Sequence, residues 1–312
     1  DPGPGGAGRH HRLQNHAEMT IIDAHSHLWL RQDAVVEGQH IEAMPGGRAR
    51  FFGEERQMLP PFLIDGRNSA EVFLSNMNYA QVGAAVVVQE IIDGNQDAYL
   101  REVQARYPDR FLCCALLDID RGGLMVPDGW RAAAIPGHRM KRALDSPEMI
   151  SAFRELERRG IILSMCLADD GRQIAQFATV VQECPRLKVA IGHFGLARSR
   201  HWLDQIRLAR AENVRIESGG ITWLYNDEFY PFPGAVRAIR QAADEVGMDK
   251  LMWGSDYPRT ITAITYRMSY DFVLKTTELS QEDKAAFLGG NALRFYGFHD
   301  LPSLRYIKNM SE

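Results

Sequence analysis

The chain has 312 residues, 45% of them hydrophobic and 24% charged, with a formal net charge of −4. That balance gives no reason to expect nucleic acid or an anionic membrane as a partner, and no apolar run is long enough to span a bilayer. The length suits one large α/β barrel or two small domains.

In chain order, residues 1–18 are rich in Gly, Pro and His and precede Met19. They read as an expression remnant or disordered tail, whose His10, His11 and His16 carry no functional weight. Beyond them, apolar runs of strand length alternate with amphipathic stretches. The strands are expected at 20–24, 84–89, 111–117, 132–135, 161–167, 188–192, 214–218 and 251–254. Helical patterns lie at 95–106, 147–159, 171–184, 200–211, 233–246 and 263–276. Short apolar strands separated by helices imply a buried parallel sheet, and a (β/α)8 barrel of the TIM type closes it most economically. An open doubly wound sheet would carry a glycine-rich phosphate turn after its first strand, where this chain has His25-Ser26-His27.

Two loops stand out. Residues 28–79 are too long for a plain strand-to-helix connection and carry Arg48, Arg50, Phe51, Phe52 and Arg56, so they are expected to fold over the barrel mouth as a lid. Residues 223–233 combine Trp223, Tyr225, Asp227, Glu228, Phe229 and Tyr230 after a strand, on the face where barrel sites form. Residues 281–298 read as two short helices closing the outer layer. The expected organisation is one barrel over 19–300 with a tail at 301–312. Cys113, Cys114, Cys166 and Cys184 form no CxxC pair, and buried reduced thiols of a cytoplasmic protein are the expected state.

Four chemistry-bearing positions coincide with the carboxyl ends of expected strands. His25 and His27 stand two residues apart, on one face of the first strand. His193 follows Val189-Ala190-Ile191-Gly192, and Asp256 follows Met252-Trp253-Gly254-Ser255. A lone histidine is more often structural, but in a barrel all these ends converge on one cavity. Three imidazoles and a carboxylate there can hold Zn²⁺ or Mn²⁺, or position a water with Asp256 as general base.

These segments resemble the amidohydrolase superfamily, in its amidohydrolase-2 branch. The matching pieces are Ile22-Asp23-Ala24-His25-Ser26-His27, Ile191-Gly192-His193-Phe194-Gly195, Trp253-Gly254-Ser255-Asp256-Tyr257-Pro258 and the closing Gly290-Asn291-Ala292-Leu293-Arg294-Phe295-Tyr296-Gly297. The resemblance implies a distorted barrel with no more than one metal, and members act as hydrolases, lactonases and non-oxidative decarboxylases. The branch's decarboxylases usually end the fifth strand with a further His ligand. Here that strand, Ile162-Leu163-Ser164-Met165-Cys166-Leu167, has none.

The pattern therefore resembles the lactonase lineage, which includes 2-pyrone-4,6-dicarboxylate lactonase and sugar-lactone hydrolases, several of which need no metal. The resemblance implies His25, His27 and Asp256 as metal ligands, a single Zn²⁺ or Mn²⁺ that is dispensable, and Asp256, His193, His25 and His27 as catalytic residues. Gly137-His138-Arg139-Met140-Lys141-Arg142 resembles that lineage's G-x-R element, although a basic run is ordinarily solvated. On this reading Arg139, Lys141 and Arg259 grip an anionic small-molecule substrate, while Trp223 and Tyr257 wall the pocket. Opening of a carboxylated or sugar-acid lactone is the expected reaction. Metal-dependent decarboxylation of an aromatic or unsaturated acid is the alternative, amide hydrolysis is a third option, and a non-catalytic acid-binding barrel comes from another class. Barrels of this kind often pair through outer helices, so a homodimer is the expected assembly.

Overall fold

The computed structural model describes residues 19–122 and 124–312. The expected leader at 1–18 lies outside the described residues. β1 (Ile22–Ser26) opens the barrel. Next come four strands of a separate antiparallel sheet: β2 (Asp33–Val36), β3 (Gln39–Met44), β4 (Arg48–Phe51) and β5 (Glu54–Gln57). Helix α1 (Ala70–Ala80) leads to β6 (Ala84–Val87), and α2 (Asp97–Arg106) to β7 (Phe111–Cys113) and β8 (Ala115–Leu116). The regular alternation continues through β9 (Ala132–Ile135), α3 (Pro147–Arg158), β10 (Ile162–Met165), α4 (Gly171–Glu183), β11 (Val189–Ile191), α5 (Trp202–Arg207) and β12 (Val214–Glu217). α6 (Ile221–Leu224), α7 (Pro233–Val246), β13 (Leu251–Met252), α8 (Met268–Lys275), α9 (Gln281–Ala285) and α10 (Asn291–Tyr296) complete the chain.

The parallel ladders run β1-β6-β7 and β8-β9-β10-β11-β12-β13. β7 and β8 are one barrel strand interrupted at Cys114, whose N–H donates to Val87 O at 2.9 Å. On the other side, Ala24 N–H donates to Trp253 O at 2.9 Å and His27 N–H to Tyr257 O at 2.8 Å, joining β1 to the segment after β13. The ring thus closes over eight barrel strands, β1, β6, β7 with β8, and β9 through β13.

Strand periodicity divides the core. Ile22, Ala24, Ala84, Val86, Leu112, Cys114, Ala132, Ala134, Ile162, Ala190 and Met252 fill the interior, while alternate residues such as Ala85, Val87, Leu163, Ile191 and Ile216 pack outward on the helices. Most interior side chains are small, and Phe295 and Tyr296 of α10 join that inner cluster. Of the terminal stretch expected in the outer layer, α10 therefore plugs the barrel instead, while Phe287 and Leu288 before it do pack in the outer layer. Burying a side chain of that size contributes about 1.5–3 kcal/mol.

The segment at 28–79 is far more ordered than a loop. Glu37-Gly38 and Phe52-Gly53 both adopt positive φ (52° and 76°, 49° and 82°), the two-residue turn that suits a hairpin's twist. α1 forms because Ala70, Phe73, Met77 and Ala80 make one buried stripe, and Ser69 accepts the Val72 N–H at 3.4 Å as N-cap. The antiparallel sheet covers the mouth, as a lid should. Ala34 and Ile41 pack on Ile92 of the loop after β6, Arg121 donates to Val35 O at 3.1 Å, and Lys141 pairs with Glu37 at 3.6 Å. Among the described residues, no helix is long and apolar enough to cross a membrane.

Candidate active site

β1 ends in the two imidazoles that the sequence singles out, and neighbouring strands fix them. His25 is buried, its Nδ1 2.5 Å from Glu217 Oε2 at the end of β12. Space for its ring is made by Gly219 and Gly254, where a Cβ would come within 2.5 Å and 2.8 Å of His25 carbon atoms. The Nε2 atoms of His25 and His27 lie 3.1 Å apart, and Asp256 Oδ1 stands 3.4 Å and 3.1 Å from them. Tetrahedral ligands at bonds of about 2.0–2.1 Å are separated by about 3.3 Å, so this donor triangle fits one divalent cation. The groups behind the triangle fit as well: Glu217 takes the outer nitrogen of His25, and Trp223 Nε1–H donates to Asp256 Oδ2 at 2.8 Å.

His193 joins the cavity from β11, its ring centre 4.7 Å from that of His25. Its Nδ1–H donates to Gly219 O at 2.8 Å, which leaves Nε2 as a lone pair. Burial and the nearby His25 pull its pKa down to about 4, so it is neutral. His193 therefore offers the cavity an acceptor or ligand. It also sits in left-handed backbone (φ 53°), followed by Phe194 at 50° and Leu196 at 59°. Such residues cost about 1–3 kcal/mol each and persist only where surroundings hold them. Glu217 supplies part of that hold, its Oε1 accepting His193 N–H at 2.8 Å and Gly219 N–H at 3.1 Å.

The charges around the triangle oppose one another. Burial disfavours imidazolium at His25, yet the Glu217 and Asp256 carboxylates outweigh it and hold the pKa well above the usual value. Burial would raise Asp256, but hydrogen bonds from His25 and His27 keep it well below the carboxylate range. Asp256 is thus ionised at neutral pH. Behind the site, buried Asp23 accepts His25 N–H at 3.0 Å, Ser255 N–H at 2.8 Å and the Tyr266 hydroxyl at 2.7 Å, tying the two ligand segments together.

The sequence reading missed Glu217 and Glu90. Both carried a signal, an acid at the carboxyl end of an expected strand. Glu90, after β6, stands 2.9 Å from His138 Nε2 and 2.9 Å from Arg139 Nε. Burial alone would raise its pKa; the hydrogen bond and field of His138, together with Arg139, reverse that and hold it at about 2.

A narrow cavity of about 10 Å³, room for about one water, is lined by His25, His27, Glu90, His138, Cys166 and His193 among others. Arg139 is near its mouth, with its guanidinium 5.9 Å from the Phe51 ring of the lid sheet. Trp223 lies against His193, and Arg259 stacks 4.0 Å above Trp223. The other two expected substrate contacts sit elsewhere. Lys141 is exposed and turned to Glu37 of the lid, because its strand-end loop runs along the rim. Tyr257 is fully buried, stacked 4.1 Å from Phe73 of α1, because β13's continuation turns its side chain outward toward the helices. All four cysteines are free and buried, and burial holds the Cys166 thiol protonated.

The sequence profile of the amidohydrolase family matches residues 22–298. No curated protein matches the chain. Among solved structures, a probable 2-pyrone-4,6-dicarboxylic acid hydrolase from Acinetobacter baumannii with citric acid bound is similar at a TM-score of 0.66 and 18% identity, covering 90% of this chain and 100% of that one. An amidohydrolase from Burkholderia multivorans with bound zinc gives 0.66 and 17%, covering 91% and 100%. 5-Carboxyvanillate decarboxylase from Novosphingobium aromaticivorans, complexed with manganese and 4-hydroxy-3-methoxy-5-nitrobenzoic acid, gives 0.51 and 16%, covering 73% and 80%. These likenesses show the fold. The first two extend over about nine-tenths of this chain, the third over 73%.

Proposed function

The chain belongs to the amidohydrolase family, and from that premise we propose that it hydrolyses a lactone, one carrying a carboxylate or derived from a sugar acid, with Asp256 activating the water. The observation that carries this reading is the pairing of Asp256 Oδ1, 3.1 Å from His27 Nε2, with a fifth barrel strand, Ile162–Met165, that offers the cavity Ser164 and the following Cys166 rather than an imidazole. Such a site favours water activation over chemistry that leans on a fully ligated metal.

Trp223 N–H fixes Oδ2 of Asp256, so Oδ1 takes the proton from water as it attacks the ring carbonyl. The lone pair on His193 Nε2 accepts the water's other hydrogen and sets its direction. The positive charge that Glu217 holds on His25, with the His27 ring beside it, would stabilise the carbonyl oxygen as it gains charge. A divalent cation held by His25, His27 and Asp256 would polarise the same carbonyl. Arg139 meets the substrate carboxylate with its planar fork.

The test is a single-turnover screen of metal-stripped protein against carboxylated lactones and sugar lactones, with ring opening read as the mass gain of one water. Ring opening without metal supports the reading. Loss of CO₂ from an aromatic or unsaturated acid, seen only after metal is restored, would replace it with the decarboxylase.

A further inference from the structure

His138 stands where the cavity needs a second proton-transfer group. The barrel strands run in order around the ring, so the loop after β9, the fourth of them, faces the loop after β13, the eighth. His138 comes from the former and Asp256 from the latter. Ester hydrolysis needs both positions. Water loses a proton on one side of the carbonyl carbon, and the ring oxygen must gain one as its bond to that carbon breaks. To serve both, Asp256 would have to carry its proton across to the ring oxygen; a second group already on the far side does without that transfer.

The local geometry suits the task. Glu90 Oε2 lies 2.9 Å from His138 Nε2, and Glu90 is itself anchored by Arg139 Nε at 2.9 Å and by the Ile91 N–H at 2.8 Å. His138 N–H donates to Cys166 O at 2.9 Å, and Gly137 lets the chain approach there, since a Cβ would stand 2.8 Å from that oxygen. The other ring nitrogen, Nδ1, is buried and has no hydrogen-bond partner among the described residues. His138 lines the same cavity as His25, His27 and His193, with its ring centre 6.2 Å from that of His193. A carboxylate that holds one imidazole nitrogen fixes the ring and stabilises the imidazolium, leaving the second nitrogen for proton transfer. The groups facing His138 are Glu90, Arg139, His193 and Cys166.

We propose that His138 is the general acid that protonates the departing ring oxygen, with Glu90 as its positioning residue; this rests on the lactone-hydrolase reading above. Its steps balance. Water's O–H bond breaks toward Asp256 as the new C–O bond forms; the ring C–O bond then breaks, and the oxygen takes the proton from His138 Nδ1. Proton return from Asp256 to His138 through solvent restores both groups.

The test compares two lactones, one expelling an alkoxide and a benzo-fused counterpart expelling a phenolate, which needs far less protonation. His138→Gln should lower kcat by about 10²–10⁴-fold on the alkoxide substrate, a typical general-acid contribution, while barely changing it on the phenolate one. Glu90→Gln should give a smaller loss with the same substrate bias, and move the alkaline limb of the pH–rate profile downward, because the imidazolium loses its carboxylate. Equal losses on both lactones, or an unmoved limb, would overturn the role and leave the lactonase standing. Wild-type enzyme that opens neither lactone would overturn the hydrolase reading and this role with it.

Discussion

Two glutamate–histidine pairs face each other across the barrel, and they differ in what surrounds them. Glu217 and His25 each expose only 1% of their side chains, and Glu217 spends both oxygens on the site's own scaffold. Glu90 and His138 expose 13% and 24%, and share their charge with Arg139 at the mouth. A fully buried carboxylate with every oxygen engaged fixes geometry. A half-open one beside an unpartnered nitrogen can exchange its contacts with a substrate. The first pair builds the site, and the second is placed to work in it.

The strongest way to break this contrast is at the group both pairs serve. Asp256→Asn should lower kcat by at least about 10²–10⁴-fold with an unchanged circular dichroism spectrum. Substantial residual turnover would remove Asp256 as the base. On the buried side, Glu217→Gln presents an amide N–H to His25 Nδ1, forces the other tautomer and points Nε2–H into the donor triangle. Zinc affinity measured by titration calorimetry should fall about 10–100-fold. Affinity equal to wild type would mean that Glu217 does not set the ligand. Glu217→Ala also orphans two buried N–H groups, each at about 1–3 kcal/mol, and thermal unfolding should register the loss.

At the open side, Arg139→Ala should raise KM for a carboxylated lactone roughly tenfold to a hundredfold, matching the loss of one charged hydrogen bond of about 1.5–3 kcal/mol. It should leave an uncharged lactone alone, and an equal effect on both would return Arg139 to a structural role. Acid titration sharpens the same side. Glu90 is held at about 2 against an ordinary 4.5, so its contribution is present above pH 4.5 and lost as pH falls through about 2. Glu90→Gln should flatten the acid limb of stability in that window. The smallest effect is expected at Tyr257, whose buried hydroxyl has no hydrogen-bond partner among the described residues. Tyr257→Phe should leave the melting temperature unchanged or slightly raised, and a clear drop would reveal a hidden partner.

Much of this was legible in the residues. Buried parallel strands are near-continuous apolar runs, and all eight expected barrel strands overlap observed ones, from β1 at Ile22–Ser26 to β13 at Leu251–Met252. Helices with one apolar stripe and an explicit cap were equally plain, such as α3, where Ser146 accepts the Met149 N–H and Pro147 starts the first turn. The lid sheet was not legible as strands. β5, Glu54–Gln57, is exposed throughout, and β2 and β4 each bury one alanine, so no alternating apolar pattern marks them. α1 carries no separate signal because its stripe lies at the far end of the long segment 28–79.

The sequence by itself determined the barrel, the family and the strand-end positions of His25, His27, His193 and Asp256, because burial periodicity and short motifs are local properties. Tertiary structure decided what each of those groups can do. Only the closed ring brings Glu217 against His25 and Gly219 O against His193, and those contacts choose which nitrogen is the donor. Only the ring puts His138 across from Asp256 and turns Tyr257 away into the core. Protonation and direction depend on partners far away in sequence, as with Glu217 and His25 at 192 residues apart, and no local pattern encodes them.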